Sequence, residues 1–128
     1  AGEITESRLA CWRRYHEMLE DLEREGLLRR PSIPAHCRHN AHMYYILLAP
    51  DIERQPVLDE LKKRSIAAVF HYVPLHSAPA GRRYARVHGT MSRTDSLSAR
   101  LIRLPLWYGI SRAAQEETVE TLHAALHR

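Results

Sequence analysis

Hydrophobic positions recur at three- and four-residue steps near the start of the chain. Leu9, Trp12, His16, Leu19 and Leu22 follow this spacing, which is the period of one face of an α-helix. Glutamates and arginines fill the positions between them and form a solvated face. The pattern predicts a long amphipathic helix over residues 5–25 that ends at Gly26.

A change of pattern follows this helix. Residues 27–40 are interrupted by two prolines and read as irregular, and the aromatic and branched content of residues 41–48 predicts a buried strand. Residues 51–65 predict a second helix, with Pro56 in its first turn. The apolar run at residues 66–70 predicts another short buried strand.

The C-terminal third repeats the alternation. Thr94 is expected to cap a short helix that runs to Arg100, and Pro105 is expected to stop a strand over residues 101–106. Ser111 is expected to cap the last helix. The inward positions of that helix are Val119, Leu122 and Leu126. Together these elements predict an α/β (α+β) domain with two layers: a small, mostly antiparallel sheet of three or four strands, with helices on one face.

Composition supports one folded domain. The chain has 128 residues, of which 45% are hydrophobic, so it can bury a modest core. No apolar run approaches the roughly 18 residues that a membrane span needs, and the charged N-terminus shows no signal peptide. We therefore expect a cytoplasmic protein without a membrane partner. Cys11 and Cys37 are too few for a disulfide framework.

The charge balance is moderately basic. Formal net charge is +4, from 19 basic and 15 acidic residues that are interspersed along the chain. Without a recognition motif this balance does not predict nucleic-acid binding. A stand-alone basic module for nucleic acid or a nucleotide sugar nevertheless stays as the alternative function. Lys62 and Lys63 are the only lysines.

Residues 70–81, which we call the excursion, are the predicted functional segment. Pro74 and Pro79 fix two backbone angles and favour extended geometry before them, so a rigid, extended departure from the preceding strand is expected. The excursion carries the polar side chains of His71, Tyr72, His76 and Ser77. Loops held by a rigid scaffold are where binding groups concentrate.

A second histidine-rich stretch raises the question of zinc. It contains His36, Cys37, His39 and His42. Their spacing matches no zinc motif, and strand alternation would send neighbours to opposite faces. No metal site is predicted, and a metal-binding protein is kept only as a third hypothesis. No glycine-rich phosphate loop or serine-nucleophile elbow occurs in the sequence.

Three runs together resemble a known family. They are Asn-Ala-His-Met-Tyr-Tyr at 40–45, Ala-Ala-Val-Phe-His-Tyr-Val-Pro-Leu-His-Ser-Ala-Pro-Ala-Gly at 67–81, and Arg-Leu-Ile-Arg-Leu-Pro-Leu at 100–106. In this order and at these intervals they resemble the C-terminal domain of the DegT-type sugar aminotransferases. The resemblance extends over nearly the whole chain.

The resemblance implies the small C-terminal domain of a homodimeric fold-type-I aminotransferase that uses pyridoxal phosphate. Residues 1–26 would be a long helix leading to a missing N-terminal domain, and residues 27–128 the small domain. The full-length enzyme would transfer an amino group from glutamate to a dTDP-4-keto-6-deoxy sugar in surface-polysaccharide biosynthesis. In that family the cofactor is held by a lysine of the N-terminal domain. Lys62 and Lys63 match no such motif, so this chain is expected to carry neither cofactor nor catalytic residues and to be inactive alone.

The resemblance also assigns candidate substrate-binding residues. His71, Tyr72 and His76 lie on the family's Tyr-x-Pro-Leu-His motif and are expected to orient the nucleotide sugar through hydrogen bonds. Asn40 and His42 are weaker candidates. Ser65 departs from the pattern, because the family usually has glycine there, and this puts a left-handed helix end at residue 65 in doubt.

Overall fold

The structure is a computed structural model and describes residues 2–128. Its helices are α1 (Gly2–Met18), α2 (Glu20–Arg24), α3 (Arg54–Lys63), α4 (Pro79–Tyr84), α5 (Ser92–Arg100) and α6 (Arg112–Leu126). Its strands are β1 (Leu28–Arg29), β2 (Tyr44–Leu48) and β3 (Leu101–Leu104). None of the helices in this described part is both long and apolar enough to cross a membrane.

The three strands form one antiparallel sheet in the order β1-β2-β3. Leu28 pairs with Leu48, and Ile46 pairs with Ile102. Alternate residues of β2 therefore point to the same side as these partners. The small antiparallel sheet that the sequence predicts is confirmed.

The core lies between one face of this sheet and the long helices. Buried side chains of α1 and α2 (Trp12, Tyr15, Leu22), α3 (Val57, Leu61) and α6 (Val119, Leu122, Leu126) meet Tyr44, Ile46, Leu48, Ile102 and Leu104 of the sheet. The predicted two-layer architecture is confirmed, because every amphipathic stripe read from the sequence faces this layer.

A buried polar side chain ties α6 to α1. Gln115 is fully buried, and its Nε2 donates to the backbone oxygen of Cys11 at 2.9 Å. Its Oε1 accepts from Nε of Arg14 at 2.7 Å. Tyr15 is also buried, and its hydroxyl donates to the Pro105 carbonyl at 2.9 Å. These bonds satisfy polar groups that would otherwise be costly to bury, and they fix α1 against the end of β3.

Two helices end in the same left-handed turn. Gly26 has φ +78°, as predicted, and Leu27 N donates to Leu22 O at 3.0 Å. Ser65 has φ +60°, and Ile66 N donates to Leu61 O at 2.9 Å. Both are hydrogen-bonded helix stops of the kind that glycine favours. The left-handed turn that the substitution put in doubt is therefore present at Ser65.

Three local predictions were wrong. The predicted helix over residues 5–25 is interrupted at Leu19, where φ is −95° and ψ 5°. Residues 66–70 do not form a strand, because Ala68 N bonds back to Ile66 O at 2.9 Å and only Val69 reaches β3. Thr94 does not cap α5: Asp95 N already donates to Met91 O at 3.0 Å, so the helix begins earlier.

Strand β1 was not predicted, whereas the end of β3 and the cap of α6 were. Strand β1 lies within the stretch that the sequence marks as irregular, and it exists only through its pairing with β2. β3 ends just before Pro105, as expected of a residue without a backbone donor. Ser111 caps α6, as predicted, and its Oγ accepts from Ala114 N at 3.1 Å.

Candidate functional site

The base of the excursion is held against the edge of β3. Val69 N donates to Arg103 O at 3.1 Å, and Arg103 N donates to Val69 O at 2.7 Å. A cavity of about 220 Å³ opens beside this bridge, and His42 and Trp107 are among its lining residues. The structure thus brings His42 next to the start of the excursion, although the two lie far apart in the sequence.

The tip of the excursion is a compact turn that packs on α4. The amides of Ser77 and Ala78 both donate to the Pro74 carbonyl, at 3.1 and 3.0 Å. A Cβ at Gly81 would lie 1.6 Å from the carbonyl oxygen of Leu75, so only glycine allows this approach. The excursion is irregular as far as Pro74 and then turns into α4, and the prediction of an extended path to Gly81 was wrong.

His76 is the anchored side chain of this turn. Its Nε2 lies 2.8 Å from Oδ1 of Asp95, and its side chain is only 14% exposed. An ionised carboxylate only accepts hydrogen bonds, so Nε2–H donates and this bond does not use Nδ1. Asp95 lies in the first turn of α5. The bond therefore locks the excursion to α5 and fixes the ring.

His71 and Tyr72 form a second group within the excursion. Their rings meet edge to face with 4.5 Å between centroids. Nδ1 of His71 is buried and has no hydrogen-bond partner within residues 2–128, whereas Tyr72 is 71% exposed. A buried nitrogen without a partner costs free energy, so a group that pairs with it would stabilise this arrangement. Within residues 2–128, no hydrogen bond or ring contact joins His71 or Tyr72 to His76.

The weaker candidates form a local turn. Oδ1 of Asn40 accepts from His42 N at 3.2 Å and lies 3.0 Å from Nδ1 of the His42 ring. Ala41 between them has φ +49°. Asn40 therefore sets the orientation of His42 just before β2.

The histidine-rich stretch does not assemble a metal centre. Within residues 2–128, no three His, Cys, Asp or Glu side chains are placed to hold a metal ion. His39 packs edge-on against Trp12, with 4.9 Å between ring centroids, and Cys37 is exposed. His39, which the residue types alone had made a candidate ligand, therefore packs on an aromatic side chain in this structure.

The family model of the DegT/DnrJ/EryC1/StrS aminotransferases matches residues 1–123. This chain belongs to that family. It is 30% identical over 114 residues to the uncharacterised protein MJ1066 of Methanocaldococcus jannaschii, which covers 86% of this chain and 28% of that protein.

Two solved structures share the fold. A DegT/DnrJ/EryC1/StrS aminotransferase from Brucella abortus is 26% identical with a TM-score of 0.79, and the match covers 98% of this chain and 32% of that one. DesI, solved in the presence of its TDP-sugar product, is 20% identical with a TM-score of 0.86, and the match covers 99% of this chain and 32% of DesI. The family member described here thus spans about a third of the length of these relatives.

The lysines of this chain do not fit a pyridoxal phosphate site. Such a site needs a lysine amine beside the reacting carbon. Lys62 and Lys63 are exposed at the end of α3, and Nζ of Lys63 pairs with Glu60. Lys63 lines an opening with residues of α6 and not with the excursion. Both lysines of the chain therefore lie on α3, outside the excursion.

Sequence reasoning missed Asp95, whose carboxylate holds the side chain of His76. It lies 19 positions from His76, and no periodic pattern links two residues at that separation. The only local signal was an acidic side chain in the first turn of a helix, where it is favoured for electrostatic reasons alone.

Proposed function

We propose that this chain is the C-terminal domain of a pyridoxal-phosphate-dependent aminotransferase that transfers an amino group from glutamate to a dTDP-4-keto-6-deoxy sugar. The observation that carries the proposal is His76, held by Asp95 on a turn within the family motif and leaving Nδ1 free. A fixed ring nitrogen orients a substrate hydroxyl better than a mobile one, because less conformational entropy is lost on binding.

The proposed role of this chain is to bind and orient the sugar. His76 would hydrogen-bond the nucleotide sugar through Nδ1, and Tyr72 would offer an exposed ring and hydroxyl beside it. The unpartnered Nδ1 of His71 would be satisfied on assembly with substrate or with the rest of the protein. No residue of this chain is assigned a catalytic role.

The cofactor belongs in the proposed N-terminal domain, which would connect to this chain through α1 and α2. Pyridoxal phosphate supplies the electron sink for moving an amino group between carbon skeletons. Since the lysines here do not fit its site, no step of that reaction is assigned to this chain. The proposal makes the chain alone inactive and the complete protein cytoplasmic.

An exposed apolar surface supports assembly with further protein. Its most exposed members are Tyr72, Leu75 and Tyr84, at 71%, 85% and 76%. The same stretch of sequence, residues 69–87, also exposes Val69, Phe70, Val73 and Val87. Exposed apolar side chains concentrated in this way are typical of an interface. We assign it to the N-terminal domain and, in the complete enzyme, to the second subunit of a homodimer.

The test joins this chain to the pyridoxal-phosphate-binding domain of a related family member and measures amino transfer from glutamate. His76→Ala is expected to raise the KM for the nucleotide sugar about tenfold, as the loss of one charge-supported hydrogen bond would. The half-reaction with glutamate should not change. His88→Ala, on an exposed histidine outside the motif, is the matched control. Unchanged kinetics in the His76 variant would remove the site assignment.

A further inference from the structure

An arginine-lined opening lies between β1 and α5. Its volume is about 450 Å³, and it is lined by Arg29, Ser92, Arg93, Ser96, Leu97 and Arg100. Three arginines and two serines line it, and no residue with a carboxylate side chain does. We call this group the arginine opening.

Two of the three arginines are uncompensated. The guanidinium groups of Arg29 and Arg93 have no hydrogen-bond or ion-pair partner within residues 2–128. Some surface arginines of this chain do pair with carboxylates, as Arg24 does with Asp21 at 2.9 Å. Like charges around a shared opening repel one another, so an anion placed between them is attracted by both.

The third arginine is braced by the fold. Nη1 of Arg100 donates to the Leu48 carbonyl at 2.6 Å, and its Nε donates to the Ser96 carbonyl at 3.2 Å. Its position is therefore set before any ligand arrives, and the bound anion does not have to order all three side chains.

The start of α5 adds donors to the same place. Met91 occupies the N-cap position and makes no side-chain capping bond, so the amides of the first turn keep their hydrogen-bonding capacity. Ser92 begins the helix and lines the opening. The positive end of the helix dipole thus coincides with the unpaired arginines.

We infer that the arginine opening is a binding site for an anion with two phosphate groups. Arginine forks pair with phosphate oxygens two at a time. The guanidinium groups of Arg29 and Arg93, with the N–H groups that Arg100 keeps beyond its bonds to Leu48 and Ser96, offer more donors than a single carboxylate can accept. The site is separate from His76, because neither His76 nor Asp95 lines the opening. The inference does not depend on the aminotransferase proposal.

The test is titration of this chain with inorganic pyrophosphate at low ionic strength, followed by calorimetry and by backbone amide NMR. Saturable binding is expected, with the largest shifts at the amides of Arg29 and of the first turn of α5. Arg29→Gln and Arg93→Gln should each weaken binding about fivefold to tenfold, as the loss of a charge-assisted bond does. Parallel titrations use a nucleoside diphosphate and inorganic phosphate. Equal affinity for pyrophosphate and the nucleoside diphosphate would show that the phosphates are the recognised part of the ligand.

The matched control is Arg13→Gln, which removes the same charge from an exposed side chain of α1 that does not line the opening. It should change the affinity less than twofold, a difference that long-range charge alone accounts for at low salt. An equal loss in the Arg13 variant, shifts that avoid α5, or no saturable binding of pyrophosphate would each overturn the inference. Unchanged melting temperatures of the variants keep the comparison free of folding effects.

Discussion

The imidazole of His76 and the carboxylate of Asp95 are joined across 19 positions of sequence by a 2.8 Å contact. The bond connects the turn of the excursion to the first turn of α5, and it leaves one ring nitrogen unengaged. This bond gives the His76 side chain of the family motif a fixed position.

Asp95→Asn is expected to release this ring. An amide at the same position replaces the charged acceptor by a weaker one, so the His76 ring samples more orientations. In the rebuilt enzyme the KM for the nucleotide sugar should rise about fivefold to tenfold, because hydrogen bonds to charged groups contribute more than neutral ones. Steady-state kinetics with varied sugar and fixed glutamate measure it. Asp59→Asn, an exposed change on α3, should leave the KM unaltered. An Asp95 variant with wild-type KM would show that the bond has no part in sugar binding.

Gly81→Ala is expected to break the contact between α4 and the turn. Its Cβ would lie 1.6 Å from the Leu75 carbonyl oxygen, and that backbone cannot yield without displacing His76. Overpacking of this kind costs about 1–3 kcal/mol, here confined to the excursion. Amide NMR should show changed shifts over the excursion and at Asp95, with the core unaffected. Gly2→Ala, where a Cβ meets nothing within 4 Å, is the control. Unchanged shifts in the Gly81 variant would contradict this packing.

Ser65→Gly should stabilise the chain and Gly26→Ser should destabilise it. Both positions have positive φ, +60° at Ser65 and +78° at Gly26, in the same type of helix stop. Glycine tolerates this region while other residues are strained in it, and the difference is about 0.5–1 kcal/mol. The free energy of unfolding in urea measures each change. Shifts of the same sign in both variants would be inconsistent with the left-handed turn at Ser65.

His16 makes the stability depend on pH in a defined direction. Its ring stacks on Trp12 with 4.7 Å between centroids, and burial followed by repulsion from Arg30 lowers the pKa of His16 below its ordinary value of 6.5, against the opposing pull of nearby glutamates. The unfolded chain therefore takes up a proton at His16 before the folded chain does. Stability from this residue is present above 6.5 and is lost as the pH falls below that value.

His16→Phe should remove that loss while keeping an aromatic ring on Trp12. The stability of the variant relative to wild type should rise as the pH is lowered from about 7.5 to about 5. His127 gives the opposite control, because bonds to the His123 backbone and then to Glu25 raise its pKa above 6.5. His127→Gln should therefore lose stability relative to wild type over the same range. Parallel pH profiles of the two variants would refute the assignment.

The exposed apolar surface predicts self-association of the chain when it is alone. Leu75 and Tyr84 are both more than 70% exposed, and their burial in a second copy would remove apolar area from water. Sedimentation equilibrium should show weak dimers that Leu75→Ser with Tyr84→Ser abolishes. Ile4→Ser, an exposed apolar residue on α1, should leave the association unchanged. If the chain stayed monomeric at high concentration, this surface would not mediate self-association.

The amino-acid sequence alone determined the elements whose own residues show a local pattern. The helical stripes of α1, α3 and α6 were readable because apolar residues repeat with the helix period, and the Gly26 stop and Ser111 cap because those residues act on neighbouring backbone groups. The family motif at residues 67–81 was also readable, because its residues are contiguous in the sequence.

Tertiary structure decided what depends on partners distant in sequence. Residues 28–29 are a strand only because β2 lies beside them, and residues 66–70 are not one because Ala68 N bonds back to Ile66 O and only Val69 pairs with β3. The partner of His76 and the three arginines that share one opening come from different elements. Hydrogen bonds and charges act through space, so such groupings have no periodic trace along the chain, and only the packing of the sheet against its helices brings them together.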